Sequence, residues 1–375
     1  MITMRDLIVG EMVHGAGKMD IHEMRRRQAD AFTQNGDHDR ALALWQEIHS
    51  RTGAAEDGLN AAIAAFRCGR WETAWPLYEN RYLRNPEGNL PAITCAETGR
   101  KIPHWTDGPP PERLLVIAEQ GFGDTFHFLR YVRRLIEEGV TVTLAEWPHL
   151  YPLLKTVHPR LKLTARNEAV TAHAGDAFVR LMSLPLRMGI ATPFFDSPYL
   201  VARSSLARRL SKAIDPARCN IGFVWQGNPD HKQDFRRSIR LETFAPLAEC
   251  DDCCLIDLQH GHGREQIPSA SFADRLVQPE GLDSGKASFL KTAALISQLD
   301  VVVTVDTATA HLAGAMERRV FLLLHAPDPD WRWGVDGEST PWYPHTRLFR
   351  QPQDGDWSEP VARVAAAIDD LSRNP

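Results

Sequence analysis

The strongest constraint on the fold is the stretch Val301-Val-Val-Thr-Val-Asp306-Thr307-Ala308-Thr-Ala-His311-Leu-Ala-Gly-Ala-Met316. Four valines and a threonine in succession are too apolar for a half-exposed edge and read as a central strand of a parallel sheet. The alanine-rich run after Asp306 has the composition of a helix. A strand end therefore feeds a helix start. Parallel sheets hold ligands at the carboxyl ends of their strands, and a helix N-terminus offers free N–H groups and a positive dipole end to an anion. The backbone N–H groups of Thr307 and Ala308 are candidate phosphate donors. His311 follows Thr307 by four residues, on the same helix face, so its ring addresses the same point. The competing reading is structural, with Asp306 and Thr307 as caps and His311 as a packed core histidine.

The same strand, turn and helix grammar opens earlier in the chain. Residues 113–118 are an apolar strand, followed by Glu119-Gln120-Gly121-Phe122-Gly123-Asp124-Thr125 and a helix to about residue 138. The third glycine of the dinucleotide fingerprint is missing, which weakens a nicotinamide reading. Gly121 and Gly123 still allow close backbone approach to a ligand. Asp124 is either an N-cap or a carboxylate with a task of its own, because the helix start at which it sits attracts anions. Further strands are expected at 140–144, 177–181, 220–225, 255–258 and 320–324, with helices at 150–157, 204–213, 290–297 and 358–371. Gln226 and Gln259 stand at two of the strand ends. The loop 231–240 holds His231, Lys232, Arg236, Arg237 and Arg240 against Asp234. It reads either as a solvated loop or as a phosphate clamp.

Residues 21–85 are helical throughout and contain a repeat. Gly36, Ala41, Leu44 and Trp45 recur as Gly69, Ala74, Leu77 and Tyr78, 33 residues later. This period resembles the tetratricopeptide repeat, whose paired helices stack through small residues. Two units make a short array, which we expect to dock on the following domain. The alternative is a generic helical bundle. Residues 1–20 read as a loose tail with Gly10, Gly15 and Gly17. Pro86, Pro91, Pro103 and the Pro109–Pro111 run make 86–111 an irregular connector in which Trp105 pins the chain to a domain surface.

A length of 375 residues accommodates two or three domains. A hydrophobic share of 43% and a charged share of 24% are those of a soluble protein, and a net charge of -5 disfavours a nucleic-acid surface. No apolar run has the length of a membrane span and the N-terminus lacks a signal-peptide pattern, so cytoplasmic residence without membrane insertion is expected. Cys250, Cys253 and Cys254 lack a second pair or a histidine at zinc-ligand spacing and are expected to be buried thiols.

Gly123-Asp124 after the first strand, and Asp306-Thr307 with His311-Leu-Ala-Gly-Ala, resemble the paired signatures of the ADP-heptose-type glycosyltransferases, family 9. Asp330-Trp-Arg-Trp333, Pro341-Trp-Tyr-Pro344 and the helical repeats extend the likeness to bacterial tetratricopeptide-plus-glycosyltransferase proteins, over most of residues 30–370. The resemblance implies a GT-B pair of Rossmann-type parallel α/β domains behind a tetratricopeptide-like helical domain. Its boundaries are 1–20 tail, 21–85 repeats, 86–111 linker, 112–213 acceptor-side domain, 214–356 nucleotide-sugar-binding domain and 357–375 terminal helix. It further implies an inverting, metal-independent transferase with a nucleotide-sugar donor, no cofactor, and Asp124 as general base. Asp306, Thr307 and His311 match the donor motif; Ala308, Gly121, Gly123, Gln226, Gln259, Arg236 and Arg237 complete the candidate donor site. The family often places a lysine where Arg236 and Arg237 stand here, so the counterpart lies between these two. Tetratricopeptide units usually bind protein segments, which makes a protein acceptor, for instance a flagellin, a candidate partner. Two other classes stay open. One is a non-catalytic interaction protein with a degenerate transferase region; the other is a nucleotide-sugar epimerase drawing on Glu119, His260 and His262.

Overall fold

The computed structural model describes residues 20–83, 93–94, 98–166, 175–282 and 289–373. The expected glycine-bearing tail and the connector prolines Pro86 and Pro91 lie outside the described residues. The chain divides into two compact units, Met1–Gly88 and Asn89–Pro375.

The first unit is four helices, α1 (Ile21–Gln34), α2 (His38–Thr52), α3 (Ala55–Arg67) and α4 (Trp71–Tyr78), ending in a 3₁₀ turn over Glu79–Tyr82. Gly36 and Gly69 precede α2 and α4 with φ of 75° and 66°, a left-handed backbone that favours glycine. The two halves match in burial as well as in sequence. Ala41 and Ala74 are both fully buried, and Trp45 and Tyr78 both sit in the core. Phe66 meets Trp75 edge to face at 4.6 Å between centroids, joining α3 to α4. Asp57 on α3 is buried and accepts both Nε and Nη2 of Arg26 on α1, at 2.7 and 2.8 Å, as well as the Thr52 hydroxyl.

The second unit contains two all-parallel sheets. The first has the order β3-β2-β1-β4, from β1 (Arg113–Ile117), β2 (Thr141–Glu146), β3 (Lys162–Ala165) and β4 (Ala177–Arg180). The second has the order β10-β9-β8-β5-β6-β7, from β5 (Cys219–Val224), β6 (Cys253–Asp257), β7 (Leu276–Val277), β8 (Val301–Val305), β9 (Val320–Leu324) and β10 (Thr346–Arg350). Renumbered from its first strand, the second sheet reads 6-5-4-1-2-3, the doubly wound Rossmann order. Its switch point, where the strand order reverses, lies between β5 and β8. All five residues of β8 are buried, as a strand covered on both faces requires. The terminal helix (Ser358–Arg373) sends Val361, Val364 and Ile368, spaced at helical period, into the core with Phe223, Phe244 and Phe349.

Three outer strands, β3, β7 and β10, have no counterpart among the sequence expectations. The first lobe also starts before β1. Trp105 is buried, its N–H donates to the Phe178 carbonyl of β4 at 2.8 Å, and His104 stacks on the Phe178 ring. The tryptophan thus fixes the connector by extending the sheet edge. One expectation is corrected: Cys250 and Cys253 form a disulfide instead of standing as thiols, because the turn leading into β6 sets their Cα atoms 5.4 Å apart, within bridging range. Among the described residues no helix is long and apolar enough to cross a membrane.

Candidate functional site

Two helix N-termini meet where the lobes face each other. Helix α5 (Phe122–Glu137) leaves β1 through Gln120 and Gly121; α6 (Ser204–Leu210) and α7 (Leu290–Ile296) follow in the chain, and α8 (Ala308–Ala315) leaves β8 through Asp306 and Thr307. The approach is close. A Cβ on Gly123 would stand 2.9 Å from His311 Cδ2 and 3.5 Å from the Ala308 Cα, so glycine is needed at 123 for the contact with α8. Thr307 is the N-cap of α8 but caps no N–H with its side chain; its hydroxyl lies 3.2 Å from that of Thr304 instead. The first turn of α8 therefore keeps its N–H groups uncapped by that side chain.

Asp124 occupies both of its oxygens. Oδ2 accepts the Gly121 N–H at 3.1 Å, as in a helix-start box, and Oδ1 accepts Nη2 of Arg332 at 2.6 Å. Arg332, from the 3₁₀ turn Trp331–Trp333 in the second lobe, also holds both oxygens of Asp330, at 2.9 and 3.0 Å. One buried guanidinium thus bridges two carboxylates across the lobe junction. Burial pushes the Asp124 pKa up, against the opposing pull of Arg332. Burial also raises Asp306, to about 6, with the charge of Asp330 adding to the effect. Asp330 moves the other way: burial would raise it, but Arg332 outweighs that and holds it low. Asp328-Pro-Asp330, soon after the end of β9, has the spacing of an acidic cation-binding pair, contrary to the sequence expectation of no Asp-x-Asp motif near a strand end; Asp330 is committed to Arg332. Among the described residues no group of three or more His, Cys, Asp or Glu is placed to hold a metal ion.

The cationic loop resolves into two different arginines. Arg237 lies over the switch point: its Nη1 donates to the Asp306 carbonyl at 2.9 Å, its Nε to Asp234 at 2.9 Å, and its guanidinium fills the space a Gly227 side chain would need. Arg236 turns away to Asp354, at 3.3 Å. Gln259 is buried and spent on backbone. Its Oε1 accepts the N–H groups of Trp225 and Gln226, and its Nε2 donates to the carbonyls of Gln226 and His262. Gln226 accepts Gln266 Nε2 at 3.0 Å. Gly121, Gly123, Asp124, Arg237, Asp306, Thr307, Ala308 and His311 are thus brought to the strand ends and helix starts of one junction, whereas Arg236 points elsewhere and Gln259 shapes the loop.

Several residues of the junction escaped the sequence reading. His311 stacks on Trp333 at 4.9 Å between centroids, and its Nδ1 lies 3.0 Å from the Tyr343 hydroxyl. His127, one turn after Asp124 on α5, places its Nδ1 at 3.0 Å from the same hydroxyl. Arg130, a further turn on, is buried and donates to the carbonyls of His127, Phe194 and Trp342 and to the Tyr199 hydroxyl. The spacing 124, 127, 130 marks one helix face, a signal that was available but weak. Burial lowers the His311 pKa to about 3, with Arg332 adding to it, and lowers His127 well below the ordinary value. Burial thus favours the neutral form of both imidazoles. A groove of about 530 Å³, lined by Lys212, Arg218, Cys254 and Arg275 among others, lies at the opposite, amino ends of β5 and β6, away from this chemistry.

Residues 281–351, which carry α7, β8, α8, β9, the Asp330 turn and β10, match the model of glycosyltransferase family 9 (heptosyltransferase). Over a wider span the chain is similar in fold to the crystal structure of the glycosyl transferase family 9 from Veillonella parvula, at a TM-score of 0.50 and 10% identity over 72% of this chain and 100% of that one. Heptosyltransferase II of E. coli superposes with a TM-score of 0.49 at 13% identity, over 70% of this chain and 98% of its own. In sequence, protein FlbA of Caulobacter vibrioides is 26% identical over 386 residues, which take in 94% of this chain and 62% of FlbA. The chain thus spans less than two thirds of that relative's length.

Proposed function

We propose that the family 9-like domain is an inverting glycosyltransferase of the GT-B type that moves a sugar from a nucleotide-sugar donor to an acceptor hydroxyl. One observation carries the reading: the uncapped start of α8, at the switch point of a Rossmann-ordered sheet, faces a carboxylate on the start of α5. In this mechanism the acceptor hydroxyl attacks the anomeric carbon, its proton passes to Asp124, and the bond from that carbon to the diphosphate oxygen breaks. The electron pair leaves with the diphosphate. The N–H groups at 307 and 308, Arg237 and His311 surround that developing charge. Arg332 opposes the rise that burial imposes on the Asp124 pKa and so favours the ionised form that accepts the proton.

The reaction is proposed to be metal-independent, because Arg332 is already the ion-pair partner of Asp124 and Asp330, the carboxylates best placed to hold a cation. The helical repeats are proposed to be tetratricopeptide units that present a protein acceptor; the matching burial of positions 33 residues apart supports stacked repeats. The test is nucleotide release from UDP-, GDP-, ADP- and CMP-sugars, with and without candidate acceptors and with and without a chelator. Asp124→Asn is expected to lose about a hundred- to ten-thousand-fold in transfer while binding nucleoside diphosphate as wild type does. Wild-type turnover by Asp124→Asn would reassign the base, and donor binding without release from any sugar would favour the non-catalytic reading.

A further inference from the structure

The Tyr343 hydroxyl carries one proton and meets two imidazole nitrogens, Nδ1 of His127 and Nδ1 of His311, each at 3.0 Å. The Tyr199 hydroxyl also interacts with this oxygen but already accepts from Arg130 Nη2, and the two imidazoles hold the close 3.0 Å positions, so the neutral phenol donates to one of them and accepts from the other. The tie is broken at the far side of His127. Its Nε2 is buried and has no hydrogen-bond partner among the described residues, enclosed by Phe128, Trp331 and Trp342. An orphaned buried N–H is rarer than an orphaned lone pair, so the proton of His127 belongs on Nδ1, where it is donated to Tyr343. The Tyr343 proton then goes to His311 Nδ1. A neutral His311 must consequently carry its own proton on Nε2, the nitrogen nearest Gly123, at 3.6 Å from where a Cβ there would stand.

We propose that His127 and Tyr343 are positioning residues that lock His311 in its Nε2–H form, a hydrogen-bond donor aimed at a phosphate oxygen between the starts of α5 and α8. The order of donation is His127 to Tyr343 to His311 to ligand. Such a histidine cannot serve as the proton acceptor of the reaction, which leaves that task to Asp124. A neutral imidazole donor on the first turn of a helix also adds to the field of the helix end without a second full charge beside Arg332 and Arg237. The ligand half of this inference rests on the donor-binding reading above, whereas the tautomer half does not.

The two halves are read separately. Long-range 1H–15N correlation spectra of the full chain labelled with 15N-histidine report each tautomer without any ligand, and His311→Gln and His127→Gln assign the signals. Wild type is expected to show His311 protonated on Nε2 alone and His127 on Nδ1 alone. Tyr343→Phe, which keeps the ring, is expected to turn the His311 pattern into a mixture of tautomers. An Nδ1–H or doubly protonated His311 in wild type, or an unchanged His311 pattern in Tyr343→Phe, overturns the lock. With ADP and UDP as probes, His311→Gln, whose amide nitrogen takes the place of Nε2, is expected to stay within about threefold of wild-type affinity. His311→Asn and Tyr343→Phe are expected to fall about tenfold, the loss of one such bond. Equal losses in His311→Gln and His311→Asn overturn the donor role. Failure of wild type to bind either nucleotide while the tautomers stand as described would sink the donor-binding reading and leave the lock intact.

Discussion

Replacing Asp306 with asparagine should change how stability depends on pH. In the folded chain the Asp306 pKa rises from 3.8 to about 6, first through burial and then through the charge of Asp330. A raised carboxyl pKa means that the native state favours the protonated form. That stabilisation is fully present below the unfolded pKa and is lost as pH rises through about 6. A shift of about two units at ~1.4 kcal/mol each sets a ceiling of about 3 kcal/mol, and the partial exposure of Asp306 brings the expected figure to about 1–3 kcal/mol. Asp306→Asn lacks this titration, so its stability relative to wild type should climb between about pH 4 and 7 and then level off. Arg237 bonds the Asp306 carbonyl and not its carboxylate, so the substitution leaves that contact in place. Any lost side-chain contact adds a constant offset, which makes the slope the readout. Urea denaturation of both proteins at half-unit intervals from pH 4.5 to 8 measures it. The same comparison in an Asp330→Asn background should give a smaller rise. A stability difference that stays flat across the range would refute the argument.

Gly123→Ala should cost about 1–3 kcal/mol, because its Cβ would press on the stacked His311 ring, and a melting point equal to wild type would contradict the close approach of α5 and α8. Arg237→Ala should weaken nucleoside diphosphate binding by about 1.5–3 kcal/mol in calorimetry while Arg236→Ala leaves it unchanged; the reverse order would move the phosphate away from the switch point. In the helical repeats, Asp57→Ala should destabilise the first unit by about 1–3 kcal/mol, through the loss of the Arg26 and Thr52 bonds. Circular dichroism at 222 nm follows the unfolding, and a variant melting with wild type would show that the ion pair contributes nothing.

The elements that build the junction were legible in sequence wherever one local signal sufficed. The valine run of β8, the Gly-x-Gly turn after β1 and the cationic loop after β5 each announce themselves within about ten residues. β3, β7 and β10 were missed because outer strands lack the continuous apolar run of a central strand; Lys162-Leu-Thr-Ala165 and Thr346-Arg-Leu-Phe-Arg350 both break it with polar residues. Arg332 was out of reach for a different reason. Its partner Asp124 lies 208 residues away, and nothing in either neighbourhood encodes the pairing. Tyr343, His127 and Arg130 likewise acquire their roles only when α5 is laid beside the turn before β10. Between Arg236 and Arg237 the sequence offered no choice, because adjacent residues on one helical turn point about 100° apart and only the fold says which direction is the sheet.

β8 fills the middle of the second sheet but comes late in the chain, after β5, β6 and β7. During synthesis β5 therefore emerges with one flank open, and that flank stays unpaired until Val301 and its neighbours arrive. At ~5–20 residues per second the wait lasts several seconds. An open strand carrying Ile221, Phe223 and Val224 is a template for strands of other chains, so the nascent protein passes through an interval of aggregation risk set by strand order alone. Slowing initiation, so that fewer such chains coexist, should raise the soluble yield.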